Sequence, residues 1–382
     1  MGKPHVIAIP YPAQGHVIPL MEVAQCLAEN GVQITFINTE FNHERVVKAL
    51  PEAGDIHELI HLVAIPDGLE PLDDRGNIGK LGEAMSKTMP ANLESRQNWD
   101  SKKALFLPAS VSMMALTSSA QKLVDDGIID NNGRPFVKQV IRLSPGMPEH
   151  STMSLPWAMV LDLATQKIIF QAILDNNEST KLAERLICNT FNELEPAALS
   201  FIPRCVPIGP LLASNRFGKQ AGYFWAGDPS CLQWLDQQPP RSVIYVAFGS
   251  FTVIDQTQFK ELALGLELSN RPFLWVVRQD MTRDIYTAYP DGFEERPLWM
   301  EFDQFLNESY ICDLWKVGLG FNKDENEIIK QEEIKNKVEQ LLTDEGYKAR
   351  ALELQAKAIA SVTEGGCSQE NFNKFVAWIK EN

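Results

Sequence analysis

His16, a residue type that can move a proton, stands within the opening stretch His5-Val6-Ile7-Ala8-Ile9-Pro10-Tyr11-Pro12-Ala13-Gln14-Gly15-His16-Val17-Ile18-Pro19-Leu20. An imidazole titrates near neutrality, so on a tight loop it can serve as a general base toward a hydroxyl. A histidine that caps or packs at a helix start fits the same position. Gly249-Ser250, with Thr252 two residues on, lies between a strand-like run and a helical one. Free backbone N–H groups and hydroxyls there suit a phosphate, and a βα turn with a serine N-cap fits equally well. In Asp303-Gln304 a carboxylate adjoins an amide, a pair suited to sugar hydroxyls, although Asp303 also reads as the N-cap of the helical run that follows. No G-x-G-x-x-G follows either opening strand, so a nucleotide-dependent oxidoreductase rests on the βαβ pattern alone. G-x-x-x-x-G-K-[ST], G-x-S-x-G and H-E-x-x-H are absent as well.

The elements that must position these groups follow from periodicity. Val6 to Ile9 has the apolar run of a buried strand, Pro19 to Leu27 a helical spacing, and Val32 to Ile37 a second strand, together a parallel βαβ unit. Ligands of such units bind beyond the carboxyl ends of the strands, where His16 falls. The pattern continues with a helix over Phe41–Ala49 and strands at His61–Pro66 and Ala104–Pro108, the latter preceded by a helix from Asn77 to about Asn98 and followed by helix to Val124. A helix over Leu155–Asn176, a strand at Arg185–Thr190 and the run Val206–Leu211 complete the first half. After a Gly-, Ser- and Asp-rich linker the opening recurs. A strand over Ser242–Phe248, a turn at Gly249-Ser250, a helix over Asp255–Leu268 and a strand over Phe273–Val277 make a second unit. Beyond Val277 only Val317–Phe321 offers a further strand, and two amphipathic helices end the chain, the last after a break at Gly365-Gly366. Two halves with the same opening imply two facing, doubly wound α/β domains with a cleft between them.

Composition sets outer limits. Of 382 residues, 45% are hydrophobic and 22% charged, the balance of a chain with real cores. Asp and Glu number 50 against 35 Lys and Arg, and a net charge of -15 argues against nucleic acid and anionic membranes as partners. The six cysteines form no C-x-x-C pair, which favours reduced thiols over disulfides or zinc. With no signal-like or bilayer-length apolar run, a cytoplasmic location is expected.

Taken together the segments resemble the plant UDP-dependent glycosyltransferases of glycosyltransferase family 1, which have the two-domain GT-B fold. The stretches that carry the resemblance are Pro12 to Pro19, Leu186 to Glu195, Pro207-Ile208-Gly209-Pro210-Leu211, Cys231-Leu232-Gln233-Trp234-Leu235-Asp236, Ser242 to Ser250, Asp303-Gln304-Phe305-Leu306-Asn307, and Gly365-Gly366. The resemblance implies that His16 deprotonates an acceptor hydroxyl, which attacks the anomeric carbon of a UDP-sugar with inversion. It implies further that Ser250 and Thr252 lie near the diphosphate, Asp303 and Gln304 hold the sugar, and Gln14 and Gly15 line the cleft beside the donor. The implied co-substrate is a UDP-sugar, glucose by default. No metal or other cofactor is expected, the acceptor is a small lipophilic molecule, and the protein acts as a monomer. On this basis residues 1–212 form an acceptor-binding Rossmann-like domain, 213–235 a linker, and 236–360 a shortened UDP-sugar-binding Rossmann-like domain. Residues 361–382 form a helix returning to the first domain.

The chain departs from the family in two places. Glu294 to Phe302 runs almost directly into Asp303-Gln304, and the Trp-Ala-Pro-Gln and His-Cys-Gly-Trp-Asn-Ser stretches that would contact the nucleotide are missing. Between the helix ending near Asn98 and the strand at Ala104 there is no strand–Asp–helix unit to supply the aspartate that orients the catalytic histidine, and Asp100 has no strand before it. Both departures imply weak donor binding and slow turnover. They also imply exposed apolar strand edges, as in a splice product or a non-catalytic relative that binds an acceptor-like ligand or a partner.

Overall fold

The computed structural model describes residues 3–50, 58–70, 73, 75, 78–94, 102–159, 163–211, 222–225, 229–249, 254–277 and 304–381. The first half opens with β1 (His5–Ala8), α1 (Gln14–Glu29), β2 (Gln33–Thr39), α2 (Glu40–Ala49), β3 (Ile60–Ile65) and α3 (Ile78–Glu94). The strands form one parallel sheet in the order β1-β2-β3, with Val6 opposite Ile34 and Phe36 opposite Leu62. Local chemistry sets the joints. Gly31 ends α1 at φ 78°, and the Thr39 side chain accepts the Asn42 N–H to start α2.

A second parallel sheet follows. It contains β4 (Ala104–Leu107), β7 (Arg185–Cys188) and β8 (Cys205–Pro207), in the order β4-β7-β8. Between them run α4 (Val111–Ser118), α5 (Ala120–Asp125), a short antiparallel pair β5 (Val140–Ile141) and β6 (His150–Ser151), and α6 (Leu163–Thr180), with α7 (Pro196–Phe201) between β7 and β8. The helix expected through Val124 is divided at Ser119, whose hydroxyl donates to Ala115 C=O. The helix expected from Leu155 begins only at Leu163. Residues 152–159 instead form two 3-10 turns, and the indole N–H of buried Trp157 donates to Gly133 C=O at 2.9 Å. Gly133, at φ 80°, leaves room for that ring, since a Cβ there would lie 2.6 Å from Trp157 and Phe170.

The described part of the second half contains α8 (Pro229–Asp236), β9 (Ile244–Val246), α9 (Gln256–Leu268) and β10 (Phe273–Trp275), with β9 and β10 paired in parallel. Helix α10 (Gln304–Ser309) runs into a π-helical turn over Tyr310–Leu314, and α11 (Gln331–Thr343), α12 (Glu345–Val362) and α13 (Cys367–Lys380) complete the chain. Only two strands of this sheet lie among the described residues. Val317–Phe321 is not a strand, because the Val317 N–H donates to Ile311 C=O and the segment folds back on the π-helical turn. Helix α9 packs on α11, with Glu261 accepting from Gln331 N–H and Lys330 Nζ.

The largest core joins β1, α1 and β2 to the last helix. Phe372, Phe375, Val376 and Trp378 of α13 are buried against the cluster that holds Val17, Met21, Ile34 and Phe36, together with Ile187 of β7. Lys102 Nζ, just before β4, donates to the carbonyls of Trp378 and Glu381. Helix α13 therefore fastens the two first-half sheets to each other. Among the described residues no helix is long and apolar enough to cross a membrane.

Candidate active site

The loop between β1 and α1 is built by its own backbone. Ala13 N–H donates to Tyr11 C=O at 2.8 Å, and Ala13 C=O accepts the N–H groups of His16 and Val17, both at 2.9 Å. Buried Asn42 pins the loop from α2, its side-chain amide donating to Pro12 C=O at 2.8 Å. These bonds place His16 in the first turn of α1, exposed at the carboxyl end of the first strand. The Tyr11 ring lies 5.3 Å from the His16 ring, tilted by 59°. Burial raises the Tyr11 phenol above its ordinary value, so it stays a neutral O–H beside the imidazole. Gln14 Oε1 is buried with no hydrogen-bond partner among the described residues, whereas Gly15 is exposed and a Cβ there would meet nothing within 4 Å.

His16 and Tyr11 line the mouth of a cavity of about 1760 Å³, walled also by Ala8, Phe106, Met114 and Ile169. Ligand pockets commonly span roughly 300 to 1000 Å³. This one exceeds that range because it runs down the whole space between β1 and β4. Sequence reasoning singled out the histidine but not the cavity, which no local pattern encodes.

A second cluster joins the halves. Glu195, buried, accepts the N–H groups of Val111 and Ser112 and so caps α4 from a distant loop. Ser112 Oγ and the Tyr310 hydroxyl are hydrogen-bonded to each other, and the Trp315 indole N–H donates to Leu194 C=O at 3.0 Å. Helix α10, which Gln304 opens, is thereby held against α4. The only advance sign was the aromatic content of the segment after Asp303.

The structure thus sets Gln14, Gly15 and His16 side by side in the first turn of α1, directly after the β1–α1 loop. Gly249, at φ 73°, makes the turn beyond β9, but Ser250 and Thr252 lie outside the described residues, as do Asp303, Asp100 and the Gln304 side chain. Among the described residues no group of three or more His, Cys, Asp or Glu is placed to hold a metal ion.

Parallel α/β halves with a histidine at the carboxyl end of the first strand define a GT-B protein. The same fold occurs in a UDP-glucosyltransferase from Polygonum tinctorium, solved with 3,4-dichloroaniline, at TM-score 0.75 and 22% identity over all of both chains. It occurs also in Phytolacca americana UGT2, solved with UDP-2-fluoro-glucose and pterostilbene, at TM-score 0.73 and 21% identity over 99% of this chain and 100% of that one. No protein-family model matches the chain. Comparison with curated proteins goes further. UDP-glycosyltransferase 83A1 of Arabidopsis thaliana is 38% identical over 452 positions, covering 100% of this chain and 97% of the relative, and 7-deoxyloganetin glucosyltransferase of Catharanthus roseus is 28% identical over 99% and 97%. The chain belongs to the plant UDP-glycosyltransferases. An alignment of 452 positions against 382 residues leaves at least 70 positions with no residue in this chain.

Proposed function

We propose that this chain carries the sugar-transfer chemistry of its family, with His16 as general base on a small lipophilic acceptor. The observation that supports this reading is the exposed imidazole on the rim of a largely apolar cavity, beside a neutral Tyr11. His16 takes the proton from an acceptor hydroxyl, or steers an acceptor carboxylate, as the oxygen attacks the anomeric carbon and UDP leaves with inversion. Ser250 and Thr252 are assigned to the diphosphate, Asp303 and Gln304 to the sugar, and Gln14 and Gly15 to the cleft beside the donor. Glucose is the proposed sugar. The helix start beyond Gly249 offers dipole stabilisation to the leaving phosphate without a cation, and the proposed enzyme needs no cofactor beyond its co-substrate. It is proposed to be a cytoplasmic monomer.

Turnover is proposed to be slow. The sequence lacks the Trp-Ala-Pro-Gln and His-Cys-Gly-Trp-Asn-Ser stretches and has no strand–Asp–helix unit ahead of Ala104, and these departures support the reading. In a serine protease, neutralising the aspartate that orients the histidine costs on the order of 10⁴ in rate. Calorimetric titration with UDP, together with turnover of UDP-glucose and a phenolic acceptor, tests the reading. Ordinary turnover overturns the impairment. Acceptor binding with neither UDP binding nor turnover favours the second reading, a non-catalytic family member.

A further inference from the structure

The antiparallel pair of β5 and β6 has an inner and an outer side, and its register fixes which residues take each. Ile141 lies opposite His150, and both are buried. Val140 lies opposite Ser151 and is 62% exposed. One step further along the same ladder the Arg142 guanidinium meets Glu149 at 2.7 Å. The chain that leads into β5 stays on the outside. Phe136 is 64% exposed, Val137 60%, and Met153, just beyond β6, 53%. Phe136 and Val137 are adjacent in a bend, and both side chains reach solvent.

The backbone of this tip is already paired within the protein. Phe136 N–H donates to Ile128 C=O at 3.3 Å. The hydroxyl of buried Thr152 donates to Val137 C=O at 2.9 Å and accepts Gln139 N–H at 3.1 Å, while Thr152 N–H donates to Gln139 C=O at 2.9 Å. A backbone bonded in this way loses little when water is withdrawn from around it. Charge is distributed unevenly as well. From Asn131 to Pro148 the sequence holds Arg134, Lys138 and Arg142 and no acidic residue, although acids outnumber bases by 50 to 35 in the chain. All three cations are exposed. Of the flanking acids, Asp130 accepts the N–H groups of Asn132 and Arg134, and Glu149 pairs with Arg142. Exposed charges are screened over about 8 Å at physiological salt, so a surface touching this face meets its cations rather than the net charge of -15.

We infer that this face docks the protein peripherally on an anionic phospholipid bilayer. Phe136, Val137, Val140 and Met153 enter the boundary between headgroups and acyl chains, and Arg134, Lys138 and Arg142 meet the lipid phosphates. Apolar side chains among cations, on a tip whose backbone is internally bonded, suit that boundary. A second copy of the chain suits it less, because a twofold contact sets like cations against each other. A protein partner would need a groove that encloses both Phe136 and Val137, whereas a fluid interface closes around them unaided. Binding rather than sugar transfer is the readout, so the inference is independent of the catalytic reading.

The test sediments the full chain with vesicles of phosphatidylcholine and phosphatidylserine in equal parts, and with vesicles of phosphatidylcholine alone, at physiological salt. The expected result is saturable binding to the anionic vesicles, at least about tenfold tighter than to the neutral ones, since each cation at such a surface contributes about fivefold. Phe136→Ser and Lys138→Glu each weaken that binding about tenfold. Both positions are exposed, so their melting curves match that of the native chain. Ile359→Ser, at an exposed apolar position on α12, binds like the native chain. Absence of sedimentation with anionic vesicles overturns the inference, as does equal binding to both vesicle types or undiminished binding by Phe136→Ser. Binding to immobilised poly-glutamate without binding to vesicles points to an acidic protein and overturns it too.

Discussion

The hydroxyl of Tyr310 is hydrogen-bonded to Ser112 Oγ inside the protein, tying the segment just after Asp303-Gln304 to the head of α4 in the first half. Both residues are buried, and Glu195 accepts the Ser112 N–H from the other side. The contact brings the proposed sugar-holding segment onto the half that carries His16.

Removing one partner of that pair strands the other without water. Tyr310→Phe is expected to cost about 1 to 3 kcal/mol, and Ser112→Ala a similar amount. The double variant loses less than the sum, since neither hydroxyl is then left alone. Urea denaturation of the four proteins measures the coupling, and strict additivity would refute it.

His16→Ala is expected to lower any residual glucosyl transfer by roughly 10² to 10⁴. Because His16 is exposed, the stability change stays within about 0.5 kcal/mol. Turnover under saturating UDP-glucose, read beside a melting curve, separates the two effects.

Gly265→Ala sets two effects of opposite sign against each other. Alanine gains up to about 1 kcal/mol of helix propensity over glycine. Here its Cβ would lie 2.7 Å from Ile334 Cβ and 3.0 Å from the Gln331 backbone carbonyl, so α9 and α11 must separate. Overpacking of about 1 to 3 kcal/mol wins, and net destabilisation is expected in thermal unfolding.

His150 gives the fold a component of acid sensitivity. Burial holds its pKa below the ordinary value of 6.5, opposed by the hydrogen bond its Nε2–H donates to Ser154 C=O at 2.8 Å. The folded state therefore binds fewer protons than the unfolded state between that depressed value and 6.5. This contribution is complete above about 6.5, is lost as the pH falls below it, and stops changing once the pH is under the folded value. Unfolding free energies measured across that window should fall with acid in the native protein and fall less in His150→Asn.

Residues close in sequence settled much of this protein before any contact was known. The apolar run of Val6 to Ile9, the helical spacing after Pro19 and that of Asp255 to Leu268 point to β1, α1 and α9, because periodicity acts over one or two turns. The opening stretch likewise set His16 beyond a strand end, and the family motifs gave the GT-B class. Tertiary structure decided what depends on distant pairings. It broke the first-half sheet between β1 and β4, opened the cavity there, and joined Tyr310 to Ser112. It also seated α13 across both sheets and turned residues 152–159 into 3-10 turns around Trp157. Such choices compare the free energy of burying surfaces hundreds of residues apart, and no local pattern carries that comparison.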